Sequence, residues 1–131
     1  MSFNVLFLDD DANRTKIFLS KVLFADSAEN AKDCIGILSK KSFNIVFLDH
    51  DLSGEKMVNS DREDCGMEAV RWIVENKPQI DQIIIHSLNY PAAQEMRKKL
   101  QDVGYDAVNV PFMMFEARNI YEQIKKKQNK A

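Results

Sequence analysis

Three short apolar runs place the tightest limit on how this chain can fold. They read NVLFL at 4–8, NIVFL at 44–48 and QIIIH at 82–86. A strand with one solvated face alternates apolar and polar residues, whereas these runs are almost continuously apolar and rich in β-branched side chains. We therefore expect three buried strands, each covered on both faces.

Amphipathic patterns separate the buried runs, and two weaker strands are predicted around 22–25 and 107–110. The positions that mark the later helices are Ile35 and Leu38 after a cap at Ser27, then Met67, Val70, Ile73 and Val74, then Met96 and Leu100 between Pro91 and Gly104, and finally Ala117, Ile120 and Ile124. A repeated strand–helix order predicts an α/β fold with a parallel sheet, right-handed crossovers and helices on both faces.

Length, charge and cysteine usage narrow the classes of function. A chain of 131 residues has the size of one domain, which we expect to span 1–131. The formal net charge of −2 argues against a strong nucleic-acid-binding surface, and the basic cluster at 125–130 suits the end of a C-terminal helix. No apolar run is long enough for a membrane span. Two cysteines without metal-site spacing and no export signal predict a cytoplasmic protein in which Cys34 is a buried free thiol.

Polar and charged residues follow each of the three buried runs. The first run leads into Asp9, Asp10 and Asp11, with Arg14 soon after; the second leads into Asp49, His50 and Asp51; the third ends in His86, with Ser87 and Asn89 after it. In a five-stranded doubly wound sheet the three strands would be neighbours, and such sheets bind ligands at the carboxyl ends of their strands. These residues are therefore expected to meet in one crevice.

The acids predict a metal site. Three converging carboxylates cannot all stay ionised unless a cation joins them, and their hard oxygens suit Mg²⁺ or Mn²⁺. We expect Asp9, Asp10 and Asp49 to hold the metal, with waters and a phosphate completing its coordination. Asp11 is expected to cap the first helix instead.

Both histidines lie at this predicted site, and each has two interpretations. His50 is either a proton carrier or a partly buried, hydrogen-bonded histidine, because the strand period of two turns it away from Asp49 and Asp51. Only one of His86 and Ser87 is expected to point at the metal.

Three other features near the strand ends also have two interpretations. Arg14 would bind a phosphate or form a surface ion pair. Asn89 would bind substrate or cap the helix that opens at Pro91. The long polar connection at 53–66 would be a lid over the site or a disordered loop.

Over nearly its whole length the chain resembles the receiver domain of response regulators. The resemblance rests on a strand followed by an acidic pair, an acid that ends the third strand, and a hydroxyl residue at the end of the fourth. It implies a flavodoxin-like fold with the strand order 2-1-3-4-5. Asp9 and Asp10 would match the acidic pair that holds Mg²⁺, Asp49 the phospho-accepting aspartate, and Ser87 or His86 the switch hydroxyl.

Two features depart from the receiver pattern. Receivers carry a lysine before the proline that ends strand five, where this chain has Val110 before Pro111, and their short loop after the acceptor is replaced here by 53–66. The pieces FLDDDANR, FLDHDL and IIHSLN resemble instead a receiver-derived group, found in phages and bacteria, that is proposed to process cyclic phosphates. This resemblance implies a metal-dependent phosphoesterase whose partner is a small phosphate-containing molecule, such as a cyclic nucleotide, or an RNA end.

A mechanism follows from that resemblance as a hypothesis. His50 and His86 would supply base and acid beside Asp49 while a cyclic phosphodiester opens. The residues expected to bind the substrate are Arg14, Asp51, Ser87 and Asn89.

Three alternatives stay open. The chain would be a signalling receiver if Asp49 accepts phosphate from a protein partner, or a pseudo-receiver if it binds a partner or nucleotide without catalysis. FLDHDLSG also resembles the D-x-D nucleophile motif of haloacid-dehalogenase-type phosphatases. Those enzymes need a later acidic pair, whereas the pair in this sequence comes earlier.

Overall fold

The computed structural model describes residues 2–52 and 54–130. The strands are β1 (Val5–Leu8), β2 (Asp26–Ala28), β3 (Phe43–Leu48), β4 (Ile80–Ile85) and β5 (Ala107–Asn109). The helices are α1 (Ala12–Lys21), α2 (Ala31–Leu38), α3 (Gly66–Asn76), α4 (Tyr90–Asp102) and α5 (Ile120–Lys130), with a 3-10 turn at Phe112–Met114. All pairings are parallel, in the order β2-β1-β3-β4-β5. The predicted flavodoxin-like, doubly wound sheet is confirmed.

The sheet is buried on both faces because helices cover each face, and successive residues of its central strands point into opposite core layers. One core layer packs under α2, α3 and α4 and includes Leu6, Leu8, Val46, Leu48, Ile83 and Ile85 from the strands. The other packs under α1 and α5 and includes Val5, Phe7, Ile45, Phe47 and Ile84. Two buried faces explain why the sequence runs are continuously apolar.

The predicted position of the second strand is wrong. The structure places β2 at Asp26–Ala28 rather than at 22–25. Val22 ends α1 instead, because its N–H donates to the Phe18 carbonyl at 2.9 Å. Phe24 has a φ of +62°, which turns the chain before β2 begins.

Side-chain caps begin three of the helices, at Asp11, Asn30 and Asn89. Asn89 caps α4, one of its two expected roles, by accepting from the Ala92 N–H at 3.4 Å. The Asp11 carboxylate accepts a hydrogen bond from the Arg14 N–H at 2.9 Å, which confirms the predicted cap of α1. The predicted cap of α2 at Ser27 is wrong, since Ser27 lies in β2. Asn30 caps this helix by accepting from the Asp33 N–H at 2.7 Å.

Three smaller expectations are also settled by the fold. Cys34 is buried and free, as predicted, and burial raises the pKa of its thiol to about 12. α5 begins at Ile120, so Ala117 lies in the turn before the helix. Within residues 2–52 and 54–130, no helix has the length and apolar character that crossing a membrane requires.

Candidate functional site

Backbone hydrogen bonds hold the ends of β1, β3 and β4 side by side. The Asp49 N–H donates to the Leu8 carbonyl at 3.2 Å, and the His86 N–H donates to the Leu48 carbonyl at 2.9 Å. As a result, one ligand atom from each of Asp9, Asp49 and His86 lies within 4.8 Å of the other two. All three residues are buried.

The Asp9 carboxylate is fully buried and well compensated. Arg14 donates two hydrogen bonds to it, from Nε to Oδ2 at 2.8 Å and from Nη2 to Oδ1 at 2.9 Å. His86 Nε2 lies 3.0 Å from Oδ2. Burial raises the pKa of Asp9, but the hydrogen bonds from His86 and Arg14 outweigh it and lower this pKa to about 2. An ionised carboxylate only accepts hydrogen bonds, so His86 Nε2 carries the hydrogen that lies between them.

Asp49 is poorly compensated by comparison. Its Oδ1 accepts a hydrogen bond from the His50 N–H at 2.8 Å, while its Oδ2 lies 3.7 Å from Arg14 Nη2, beyond hydrogen-bond range. The pKa of Asp49 is raised to about 6, chiefly by burial and also by the Asp9 charge, while His86, the His50 N–H and Arg14 act to lower it. A buried carboxyl of this kind favours a cation beside it.

His86, rather than Ser87, faces Asp9. The imidazole stacks on Phe7 with ring centroids 4.9 Å apart, and its Nδ1 is buried without a hydrogen-bond partner among the described residues. The Ser87 hydroxyl accepts from the Asn89 N–H at 3.0 Å and so stabilises the turn before α4. The parallel pairing of β3 with β4 places His86 directly beside Asp49. This register decides which of His86 and Ser87 faces the strand-end acids.

His50 is fully buried, and both of its ring nitrogens have partners. Nδ1 lies 2.8 Å from the Asp51 carboxylate, and Nε2 lies 2.9 Å from the Ser60 hydroxyl. Ser60 belongs to the long connection after β3, so His50 links the strand end to that loop. The geometry favours the buried, hydrogen-bonded interpretation of His50 over that of a proton carrier.

Asp51 anchors the same loop. Its oxygens accept hydrogen bonds from the Met57 N–H at 2.6 Å and the Val58 N–H at 3.1 Å, as well as from Asn89 Nδ2 at 3.1 Å. Burial raises the pKa of Asp51, but the hydrogen bonds from His50, Asn89 and the loop amides lower it overall. With its oxygens occupied in this way, Asp51 is placed to hold the loop in position.

The predicted metal ligands are brought together in part. Asp9 and Asp49 lie side by side, whereas Asp10 lies outside the close group and its Oδ2 accepts from the Gly54 N–H at 2.6 Å. His86, rather than Asp10, is the third member of the close group. Asp10 still lines the cavity at the strand ends, within reach of a ligand there.

Gly66 is a structural part of the site that the sequence pattern missed. Its N–H donates to the His50 carbonyl at 2.8 Å, and a Cβ at this position would lie 1.7 Å from the Asp49 carbonyl oxygen. Only glycine allows α3 to start so close to the end of β3. A glycine that precedes a helical pattern carries no sign of this contact in the sequence.

A cavity of about 590 Å³ opens over the strand ends. The predicted site residues that line it are Asp10, Arg14, Asp49, Asp51, His86, Ser87 and Asn89. Four large apolar residues also line it and were missed: Met57, Leu88, Phe112 and Met113. Single apolar residues in loops show no periodicity, so no sequence signal distinguishes them.

The donor atoms at the strand ends fit a divalent cation. Carboxylate oxygens suit Mg²⁺ and Mn²⁺, and an imidazole nitrogen adds affinity for transition metals. The raised pKa of Asp49 is the property of this chain that a bound cation would reverse. Because Arg14 already forms a hydrogen-bonded ion pair with Asp9, a metal ion would have to share that carboxylate with the guanidinium.

Known proteins resemble this chain in both sequence pattern and fold. A family model described as a cyclic-phosphate processing receiver domain matches residues 4–102, which is more than half of the chain. No curated protein matches it. A response regulator from Colwellia psychrerythraea has 14% sequence identity and a TM-score of 0.64, and each chain is covered completely.

Two Thermotoga maritima proteins share the fold at a similar distance. The response regulator domain of CheB has 17% identity and a TM-score of 0.62, with 98% of each chain covered. The response regulator TrrA, solved in complex with Mg(2+)-BeF, has 19% identity and a TM-score of 0.61, with 93% of this chain and 98% of that one covered. At sequence identities this low, the structural similarity shows a common fold and nothing further.

Proposed function

The chain belongs to the cyclic-phosphate processing receiver family, and from that premise we propose that it is a metal-dependent phosphoesterase that opens cyclic phosphates. The position of His86 carries the proposal. Its buried imidazole donates to Asp9 and lies beside Asp49, so a proton carrier and a carboxylate pair share one end of a cavity. Transfer of phosphate to Asp49 needs no imidazole here, whereas breaking a ring ester requires a proton for the leaving oxygen.

Asp9 and Asp49 would hold the metal, with His86 or Asp10 beside them. Bound Mg²⁺ or Mn²⁺ would supply a Lewis acid that polarises a phosphoryl oxygen and offsets charge in the transition state. The buried, weakly compensated carboxyl of Asp49 supports this assignment.

Ring opening is a hydrolysis that converts a cyclic diester into a monoester. The oxygen of water attacks phosphorus, the bond from phosphorus to one ring oxygen breaks, and one proton from the water ends on the released hydroxyl. His86 is the group placed to move that proton, because an imidazole can both accept and donate a proton and its Nε2 lies 3.0 Å from the Asp9 carboxylate.

Arg14 would bind the phosphoryl oxygens. Its side chain lines the cavity and keeps 37% of its surface exposed. Nε and Nη2 are hydrogen-bonded to Asp9, whereas Nη1 makes only a 3.7 Å ion pair with Asp11. A guanidinium fork suits phosphate geometry, and the Ser87 hydroxyl lies in the same cavity as a further donor. In this proposal Asp51, Asn89 and His50 act by holding the loop after β3.

Signalling by phosphorylation is the second candidate function. It is favoured by the fold shared with response regulators and by the position of Asp49, a largely buried carboxyl that lines the cavity 3.7 Å from the Arg14 guanidinium. Val110, at the end of β5, is 3% exposed and packs in the core with Ile84. An apolar residue there cannot neutralise a phosphoryl group on Asp49, which weakens this candidate.

The experiment is product formation from 2′,3′-cyclic and 3′,5′-cyclic nucleotides with Mg²⁺ or Mn²⁺. Wild type is compared with Asp49→Asn and with His86→Gln. Asp81→Asn is the matched control, because Asp81 is exposed near the amino end of β4, at the opposite edge of the sheet. His50→Gln tests the other buried imidazole.

The proposal predicts metal-dependent monoester formation that His86→Gln lowers by about two to four powers of ten and that Asp81→Asn leaves unchanged. A smaller effect of His50→Gln would support its structural role, and an equal effect would restore it as a proton carrier. No turnover in a protein that binds the metal would overturn the proposal. Phosphorylation of Asp49 by a small phosphodonor would then favour the signalling function.

A further inference from the structure

Part of the exposed wall of the cavity is apolar, although the cavity floor carries the strand-end acids Asp10, Asp49 and Asp51. Met57, Leu88 and Met113 line the cavity and expose 66%, 56% and 74% of their surfaces, and Phe112 lines it beside Met113. Isolated exposed apolar residues are ordinary on protein surfaces, but several that share one cavity mark a binding surface.

Met57 is held at this wall by a strained and anchored backbone. Its φ is +53°, in the left-handed region that residues other than glycine rarely adopt. Its N–H is fixed by the Asp51 carboxylate at 2.6 Å, and Val58 is fixed by the same carboxylate. Near the start of the loop, the Gly54 N–H donates a hydrogen bond to the Asp10 carboxylate at 2.6 Å. Backbone strain that several hydrogen bonds hold in place is characteristic of functional sites.

The size of the cavity exceeds what a phosphate group needs. Its volume of about 590 Å³ lies within the range of pockets that enclose a whole small-molecule ligand. The phosphate of the proposed substrate would occupy the end near Arg14 and the strand-end acids. The space along Met57, Leu88 and Met113 is left for the rest of the substrate.

We propose that Met57, Leu88, Phe112 and Met113 form a subsite for the base of a nucleoside cyclic phosphate. This subsite rests on the proposed function, because that function places the phosphate at the cavity floor. An aromatic base presents two apolar faces, which pack well on methionine side chains and on a phenylalanine ring. The base is also uncharged, so the acids of the floor do not repel it.

The charge of the cavity favours a mononucleotide over a long nucleic acid. Arg14 and Lys56 are the basic residues among those that line it, and the net charge of the whole chain is −2. A polynucleotide backbone requires a track of several cations. The ligand is therefore a single nucleoside with a cyclic phosphate.

Methionine methyl signals provide a test that needs no turnover. The chain is labelled at the methionine methyl carbons and titrated, in Mg²⁺, with 2′,3′-cyclic AMP or with the base-free glycerol 1,2-cyclic phosphate. If the subsite exists, 2′,3′-cyclic AMP should shift the methyl signals of Met57 and Met113, and glycerol 1,2-cyclic phosphate should not. Met67 and Met96, which are 1% and 0% exposed in the core, serve as internal controls that should not move.

Equal shifts with both ligands, or no shift at Met57 and Met113 with cyclic AMP, would overturn the subsite. Because this readout is binding, it decides the subsite even if no cyclic phosphate is hydrolysed. The proposed function would fail in that case, and the two failures would be distinguishable.

Variants extend the test to catalysis. Met57→Ser and Met113→Ser are each expected to lower kcat/KM for 2′,3′-cyclic AMP by about tenfold and to leave glycerol 1,2-cyclic phosphate unaffected. Met114→Ser is the matched control, because Met114 is 39% exposed beside Met113 but does not line the cavity. Equal losses for both substrates would contradict a base subsite.

Discussion

Two aspartates at neighbouring strand ends are expected to change stability in opposite directions when each is replaced by asparagine. Asp9 and Asp49 are both buried beside Arg14. The hydrogen bonds to Asp9 stabilise its ionised form, whereas burial of Asp49 opposes ionisation. The contrast tests the electrostatic description of the site without reference to any reaction.

The expected magnitudes follow from the two pKa values. The pKa of Asp49 rises from 3.8 to about 6, so its charge at neutral pH destabilises the folded chain by about 3 kcal/mol. The pKa of Asp9 falls from 3.8 to about 2, so its charge stabilises the folded chain by about 2 kcal/mol. Both figures refer to the metal-free protein.

The pH dependence gives each residue a distinct signature. Wild type loses the unfavourable Asp49 contribution as the pH falls from about 6 to about 4, because the folded chain then binds a proton that the unfolded chain does not. The gain in the free energy of unfolding of Asp49→Asn over wild type should therefore be larger at pH 7.5 than at pH 4 by about 2 to 3 kcal/mol. Asp9→Asn should instead have a lower free energy of unfolding than wild type. This loss of stability should stay nearly constant between pH 7.5 and pH 4 and shrink only as the pH falls toward 2.

The assay is urea unfolding at pH 4 to 7.5 in the presence of EDTA, followed by the fluorescence of Trp72, the single tryptophan. EDTA is needed because a bound cation would offset the Asp49 charge. Taking the difference between two pH values removes any constant cost of burying the asparagine amide. A loss of stability in Asp49→Asn that is equal at pH 4 and pH 7.5 would refute the reasoning.

Other predictions concern the loop and the core. Gly66→Ala should lower the free energy of unfolding by at least about 2 kcal/mol in urea titration, because its Cβ would collide with the carbonyl that follows β3; unchanged stability would contradict that packing. Asp51→Ala should speed hydrogen exchange at Met57 and Val58 by at least about tenfold while β3 keeps its rates, and uniform exchange in the variant would argue against the anchor. Cys34 should resist alkylation at pH 8 until urea is added, since burial raises its pKa to about 12; rapid labelling of the folded chain at Cys34 would contradict its burial.

Much of the architecture was predictable because the central strands are buried on both faces. That burial requires the continuous apolar runs before Asp9, Asp49 and His86 and shows directly in the sequence. Parallel pairing then brings the three strand ends together. The convergence of the site thus follows from pattern and topology, without any knowledge of side-chain contacts.

β2 was misplaced because it is short and carries two polar residues, so no apolar pattern marks it. The apolar stretch before it, which includes Val22 and Phe24, instead ends α1 and turns the chain. Phe24 has a left-handed backbone and is 92% exposed. An exposed phenylalanine in a turn looks like a strand residue when only hydrophobicity is considered.

The finer geometry of the site depends on contacts that no local pattern encodes. Whether His86 or Ser87 faces Asp9 is decided by the pairing of β3 with β4. The role of Asp51 depends on two loop amides, six and seven residues further along the chain. Backbone donors belong to every residue type, so their partners cannot be read from side-chain identity.

The central claim is tested most directly by a phosphorus NMR time course of wild type with Mg²⁺ and 2′,3′-cyclic AMP. The account predicts that the cyclic phosphate signal is replaced by that of a phosphomonoester, and that EDTA or the Asp49→Asn substitution prevents this change. A cyclic phosphate signal that persists unchanged, in a sample where Mg²⁺ is shown to bind, would contradict the account.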